Sequence, residues 1–272
     1  MDGSFSENPS EQLVTKTQKM LTDSTYNMGK VKKTSLSAEL IHGEIKHPIG
    51  LISFVEKEPK LGLWKAPQEW IEYWRQSFGD RSVESGIARG EAQEILFQQE
   101  IDNVSLLNKK GNVNVPKIIE HRPNYYRMQF INGISGEEVE KTKPSRDTKL
   151  LITNMTLNAA RDVFKDGIVN MEYAPKNSII IPNLKTGIPE KVMLIDFGVS
   201  FQVDSEGKIE VDMDLFNKSG IRINRDNDGV GLFPPELTGK TGKVKIDAEK
   251  CLVWSLTHRV VGGGYYMKKY LE

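Results

Sequence analysis

The sequence predicts an α+β chain in two parts, a strand-rich first half and a helical second half that carries one β-hairpin. Three observations support that reading. Up to about residue 131 the apolar residues fall largely into short runs bounded by Gly, Pro and Asn, as buried strands do. From residue 150 to 164 apolar residues recur at 150, 151, 155, 159, 160, 163 and 164, the spacing of one helix face. Between them in character, residues 168–198 give two apolar runs separated by polar turns, and those turns gather Glu172, Asn177 and Asp196 at one rim.

Composition narrows the class. The 272 residues suit a two-lobed unit, and 37 Lys+Arg against 37 Asp+Glu leave no global field that would draw the chain to nucleic acid or an acidic membrane. A single cysteine excludes an internal disulfide, and four scattered histidines give no metal cluster, which fits a reducing compartment. Residues 1–33 lack the apolar core of a signal peptide, and no run approaches the ~20 apolar residues of a membrane span. The expectation is a soluble, cytoplasmic protein.

In chain order, residues 1–35 are polar and are expected to be flexible. Residues 49–55 and 61–65 read as strands joined by a charged turn at 56–60. Trp70, Ile71, Trp74 and Phe78 follow Pro67 at helical spacing, and Gly79-Asp80 ends that helix, whose aromatic stripe is expected in the core. A loop is expected at 79–90. A second helix at 91–108 sets Phe97, Ile101, Val104 and Leu107 on one face with Glu100 beside them. Paired strands at 113–120 and 125–131 end at Asn132-Gly133, the expected boundary between the halves. Residues 137–149 read as a solvated helix or loop, and the 150–164 helix stops at Asp166-Gly167. Beyond Gly198 a long polar segment leads to Phe233-Pro234-Pro235-Glu236-Leu237 and a last helix from Asp247 to about Val261. The segments are therefore 1–35, 36–132 and 133–272.

Glu172, Asn177 and Asp196 are the types that phosphoryl transfer needs: one carboxylate to orient a hydroxyl, and an amide oxygen with a second carboxylate to hold Mg2+. Residues 168–198 resemble the catalytic and metal loops of the protein kinase family, H-R-D-x-x-x-x-N followed by D-F-G. Asn170-Met171-Glu172 stands at H-R-D, Asn177 follows Glu172 by five positions, and Asp196-Phe197-Gly198 supplies D-F-G. The resemblance implies a bilobal kinase-like fold with a β-rich N-lobe and a reduced helical C-lobe, and ATP with Mg2+ or Mn2+ as cofactors.

It also implies roles. Gly62-Leu63-Trp64-Lys65 resembles V-A-I-K, making Lys65 the phosphate-binding lysine, Glu100 its helix partner, with Glu94 and Glu91 as competing candidates earlier on the helix, and Gly62 the residue facing adenine. Gly50 stands in the register of the phosphate-covering loop, with Ile52 above the adenine. Met128 would back the adenine pocket, and the backbones of Gln129 and Ile131 would bind the base edge. Glu172 takes the position of the catalytic Asp, and Glu172-x-Ala174-x-Lys176-Asn177 is closer to the tyrosine-kinase form of the loop. Pro234-Pro235-Glu236 resembles A-P-E, Ser200, Ser205, Ser219 and Thr238 are candidate phosphosites, and Leu252 replaces the Asp of D-V-W-S-L-G in a shortened C-lobe where Glu236 lacks the family's arginine partner. The activity implied is transfer of the γ-phosphoryl group to Ser or Thr of a protein substrate. The alternatives are a partner-binding pseudokinase, which Asn170, Glu172, Ala174, Leu252 and the missing glycines favour, and a small-molecule kinase. The shortened form is similar to minimal kinases that pathogens or viruses place in a host cytosol.

Overall fold

The computed structural model describes residues 27–34, 38–47, 50–59, 65–123, 125–221 and 232–261, with side chains at 53–58, 65–123, 125–221 and 232–258. Strands and helices are mixed, as an α+β chain requires. The chain divides into two compact units, residues 1–59 with 117–130 and residues 60–116 with 131–272. One boundary, at 130/131, lies beside the expected cut at 132–133, while residues 60–116 cluster with the C-terminal part.

The first unit is a five-stranded sheet ordered β1-β2-β3-β5-β4, built from β1 (Asn27–Thr34), β2 (Ala38–His47), β3 (Gly50–Pro59), β4 (Ile118–Arg122) and β5 (Tyr125–Gln129). Two expectations are corrected here. Residues 27–34 form an edge strand paired to β2 rather than part of a flexible tail. Glu56-Lys57-Glu58 is no turn, because β3 runs through it and pairs Glu56 with Arg127 and Lys57 with Tyr126. The charges are tolerated because they are neutralised across the sheet. Arg127 Nε lies 2.6 Å from Glu56 Oε2 and its Nη1 3.1 Å from Glu120 Oε2, while the guanidinium covers the buried Phe54 ring at 5.0 Å. Residues 61–64, including Gly62, lie outside the described residues.

The second unit begins with α1 (Gln68–Phe78) and α2 (Asp80–Lys109), separated only by Gly79 at φ +82°, a conformation few other residues adopt. The expected loop at 79–90 is thus the start of a 30-residue helix. Gly90 and Ala92 are buried on it, Gly90 in spite of its poor helix propensity. The aromatic stripe of α1 is not core: no residue of α1 is buried, and Trp70, Tyr73, Trp74 and Phe78 are exposed.

The strand β6 (Ile134–Ser135) leads into α3 (Gly136–Lys141), started by a Ser135/Glu138 capping box, and then α4 (Arg146–Lys165), whose N-terminus Ser145 caps. Then come β7 (Ile168–Asn170), β8 (Ser178–Pro182), β9 (Pro189–Leu194) and β10 (Ser200–Gln202), forming the sheets β6-β8-β9 and β10-β7. The polar stretch after Gly198 contains β11 (Lys208–Asp212) and α5 (Met213–Ser219). β11 pairs antiparallel with β12 (Lys243–Asp247), just ahead of α6 (Ala248–Ser255). The core below them joins Met171, Ile209, Val211, Leu237 and Cys251 to three mutually packed rings, Phe201, Phe216 and Phe233, with centroids 5.3–5.9 Å apart. Among the described residues no helix is long and apolar enough to cross a membrane.

Candidate active site

The polar groups of 168–198 are assembled by two turns that one side chain ties together. Asn170, at the end of β7 and buried, accepts the Glu172 N–H at 2.9 Å and donates Nδ2 to the Asp196 carbonyl at 3.1 Å. The amide stands where the family has His; it has no ring to pack on Phe197, but it links the two loops directly. A 3-10 turn, Pro175–Asn177, then brings Asn177 back under Glu172: Asn177 Nδ2 donates to the Glu172 carbonyl at 3.0 Å, and the Ile195 N–H donates to the Asn177 carbonyl at 2.9 Å. With Nδ2 so engaged, the amide oxygen is the end that could accept from or ligate another group. Gly136 is part of this construction, since a Cβ there would sit 2.5 Å from the Pro175 carbonyl oxygen.

Asp196 adopts φ +64°, in the left-handed region that Asp and Asn tolerate better than other side chains. The next residue, Phe197, is buried, and its N–H donates to Glu100 Oε1 at 3.1 Å, so α2 reaches the Asp196–Gly198 turn through a residue that is only 2% exposed. Asn103, three residues further along α2, donates to the Ser200 carbonyl at 3.0 Å and to its hydroxyl at 2.9 Å. Glu172 is partly exposed, and its Oε1 lies 2.8 Å from Lys176 Nζ. Glu100, Glu172, Asn177 and Asp196 therefore meet around one pair of turns.

Other expected positions differ. Lys65 lies in a short turn rather than at a strand end and forms an ion pair with Glu94, Nζ to Oε1 3.2 Å. Glu94 precedes Glu100 by six residues, about 9 Å along the helix, so the two carboxylates serve different partners. Lys57 is only 5% exposed, on the third strand of the sheet. Gly50 and Ile52 open β3 after the β2–β3 hairpin, in which His47 pairs with Gly50; the added strand β1 moves the first hairpin upstream, so they are not between the first two strands. Met128 is half-buried on β5, Ile131 is buried, and the Gln129 N–H is taken by the Lys117 carbonyl at 2.7 Å.

Downstream, the Pro235–Leu237 turn puts Glu236 Oε1 2.5 Å from Lys250 Nζ on α6, a local partner that the sequence reading did not foresee. The Lys250 hydrogen bond holds the Glu236 carboxyl below the usual carboxylate range. Leu252 is buried on α6 as an apolar residue. Of the candidate phosphosites, Ser200 and Ser219 are buried with their hydroxyls bonded to the Phe197 and Phe216 carbonyls, whereas Ser205 and Thr238 are exposed. No cluster of three or more His, Cys, Asp or Glu suited to a metal occurs among the described residues.

No protein-family model matches this chain. Over 129 residues, 45% of this chain, it is 26% identical to the EKC/KEOPS complex subunit BUD32 of Enterocytozoon bieneusi. The match spans 63% of that relative, a little under two thirds of its length.

Proposed function

We propose that the protein is an ATP-dependent phosphotransferase of the protein-kinase kind, passing the γ-phosphoryl group to a Ser or Thr hydroxyl of another protein. The observation that carries the reading is the Asn170 cross-link, which holds Glu172, Asn177 and Asp196 on two adjoining turns. The distant likeness to the BUD32 subunit supports a kinase-like chain and no finer assignment.

In this reading Glu172 orients the acceptor hydroxyl and takes its proton as the new oxygen–phosphorus bond forms and the bridging bond to ADP breaks. Glutamate carries one methylene more than aspartate, and the 3-10 turn and Lys176 fix where its carboxylate points. The Asn177 amide oxygen and the Asp196 carboxylate are hard oxygen donors, and a pair of them fits Mg2+, which binds through few protein ligands and completes its shell with phosphates and water. Bound there, the metal would supply charge neutralisation at the phosphates. Glu100 keeps the metal loop in register through the Phe197 N–H. Lys65 is the cation assigned to the phosphates, as the resemblance implies, with Glu94 as its ion-pair partner. A rival reading, a binding module without transfer, is favoured by the Lys176–Glu172 ion pair, which already occupies the carboxylate that would act as base.

The test is transfer of labelled γ-phosphate from ATP with Mg2+ or Mn2+, onto the chain itself and onto generic protein substrates. Incorporation should require the metal and vanish with chelator. Lys65→Met should lower it at least about 100-fold. ATP binding without transfer would replace this reading with the binding module. Full activity in Lys65→Met would overturn the lysine assignment.

A further inference from the structure

Helix α1 is the least explained part of the described structure. Its aromatic residues are 62% (Trp70), 65% (Tyr73), 39% (Trp74) and 59% (Phe78) exposed, and Trp74 stacks on Phe78 at 4.8 Å. At 100° per residue these four span one face of about 140°, beside the narrower side at Ile71 and Arg75 that is half-buried. They leave about 450 Å² of aromatic surface in one strip, the size of patch that on a monomer marks an interaction site.

The charges around the strip indicate what covers it. Arg75 is engaged within the chain, by Glu72 at 2.8 Å and Asp80 at 2.8 Å. Glu69 at one end of the strip and Arg81 just past the other end are exposed and have no ion-pair partner among the described residues. Two unpaired opposite charges at opposite ends of an apolar strip make a surface complementary to itself under a two-fold axis, because residue i then meets j while j meets i. A helix lying on a membrane wants Lys and Arg along its polar face; α1 has Glu69 and Glu72 against Arg75 alone.

We propose that the α1 face is a docking surface for a second copy of this chain. The helices pair antiparallel with Trp74 on the axis, so that Trp70 of each copy covers Phe78 of the other and Glu69 reaches Arg81 of the other. The strip buries about 900 Å² counted over both copies, at the lower end of specific interfaces, so the dimer is a transient one with a dissociation constant on the order of 1–100 μM. Gly79 alone separates α1 from α2, whose Glu100 holds the Phe197 N–H, so the pairing bears on the rod that reaches the metal loop.

Sedimentation of the full chain between about 1 and 200 μM tests this. Wild type should move from monomer to dimer across that range. Trp74→Glu, which would set two carboxylates against each other on the axis, should remain monomeric with an unchanged far-UV circular dichroism spectrum, since α1 buries none of its side chains. Glu69→Arg and Arg81→Glu should each weaken the dimer about fivefold, two pairs being lost per dimer, and their combination should restore it. A wild type that stays monomeric at 200 μM overturns the proposal. So does a dimer that Trp74→Glu leaves intact, or wild-type protein that pellets with neutral phosphatidylcholine vesicles while remaining monomeric without them.

Discussion

Asp196→Asn is expected to abolish phosphoryl transfer, by about 10³-fold or more, while leaving the melting temperature within about 2 °C of wild type. The two halves of this expectation have separate causes. The carboxylate is the only charged group in the proposed metal pair, so its loss removes the charge that neutralises a cation. The backbone does not depend on that charge: Asn accepts the φ of +64° as Asp does, and Asn170 bonds the main-chain oxygen of residue 196, which the substitution keeps. Asp196→Ala, by contrast, adds a backbone penalty of about 1 kcal/mol and should lower stability as well. A transfer assay beside thermal unfolding for both variants separates charge from conformation. Retained transfer in Asp196→Asn would remove this residue from the mechanism.

The largest stability effect belongs to Arg127. Its guanidinium faces Glu56 at 2.6 Å and Glu120 at 3.1 Å, with side-chain exposures of 11%, 9% and 18%. Arg127→Ala leaves two poorly hydrated carboxylates facing each other and uncovers Phe54. The expected cost is about 3–5 kcal/mol, a fall in melting temperature of roughly 10 °C or more. Adding Glu56→Leu to Arg127→Met should recover much of it, because replacing both ends of a buried pair by apolar groups is often close to neutral. Thermal unfolding of the single and double variants measures this; a single variant as stable as wild type would mean that the sheet does not depend on the pair.

The site at 168–198 was legible because its information is local. Spacing sets Glu172 and Asn177 on one turn, and the two apolar runs that became β8 and β9 carry Asp196 beside them. What the sequence hid is non-local. The charges at 56–58 look like a turn until Arg127, seventy-one residues later, is seen to neutralise Glu56. Lys208–Asp212 and Lys243–Asp247 each alternate apolar and charged residues, but five residues is a weak signal and the pairing that makes them strands spans some thirty positions. For α1 the periodicity correctly announced an aromatic face. It could not announce that the chain leaves that face uncovered, because amphipathicity describes a helix and not its neighbour.

Cys251 turns the core into its own clock. It is the chain's one cysteine, fully buried on α6 within the core that holds Phe201, Phe216 and Phe233. Burial pushes its thiol up to about 12, with the Asp247 and Glu236 carboxylates adding to the effect. An unfolded chain loses that proton near the ordinary value of 9.0, so the stability owed to the neutral thiol is complete below that pH and drains away as pH rises toward 12. A thiol that is both enclosed and protonated does not react with an alkylating reagent until the core opens. Labelling at pH 8 should therefore run at least about 10³-fold slower in native buffer than in denaturant, and its rate at one position, without any engineered probe, reads how often the three-ring core comes apart.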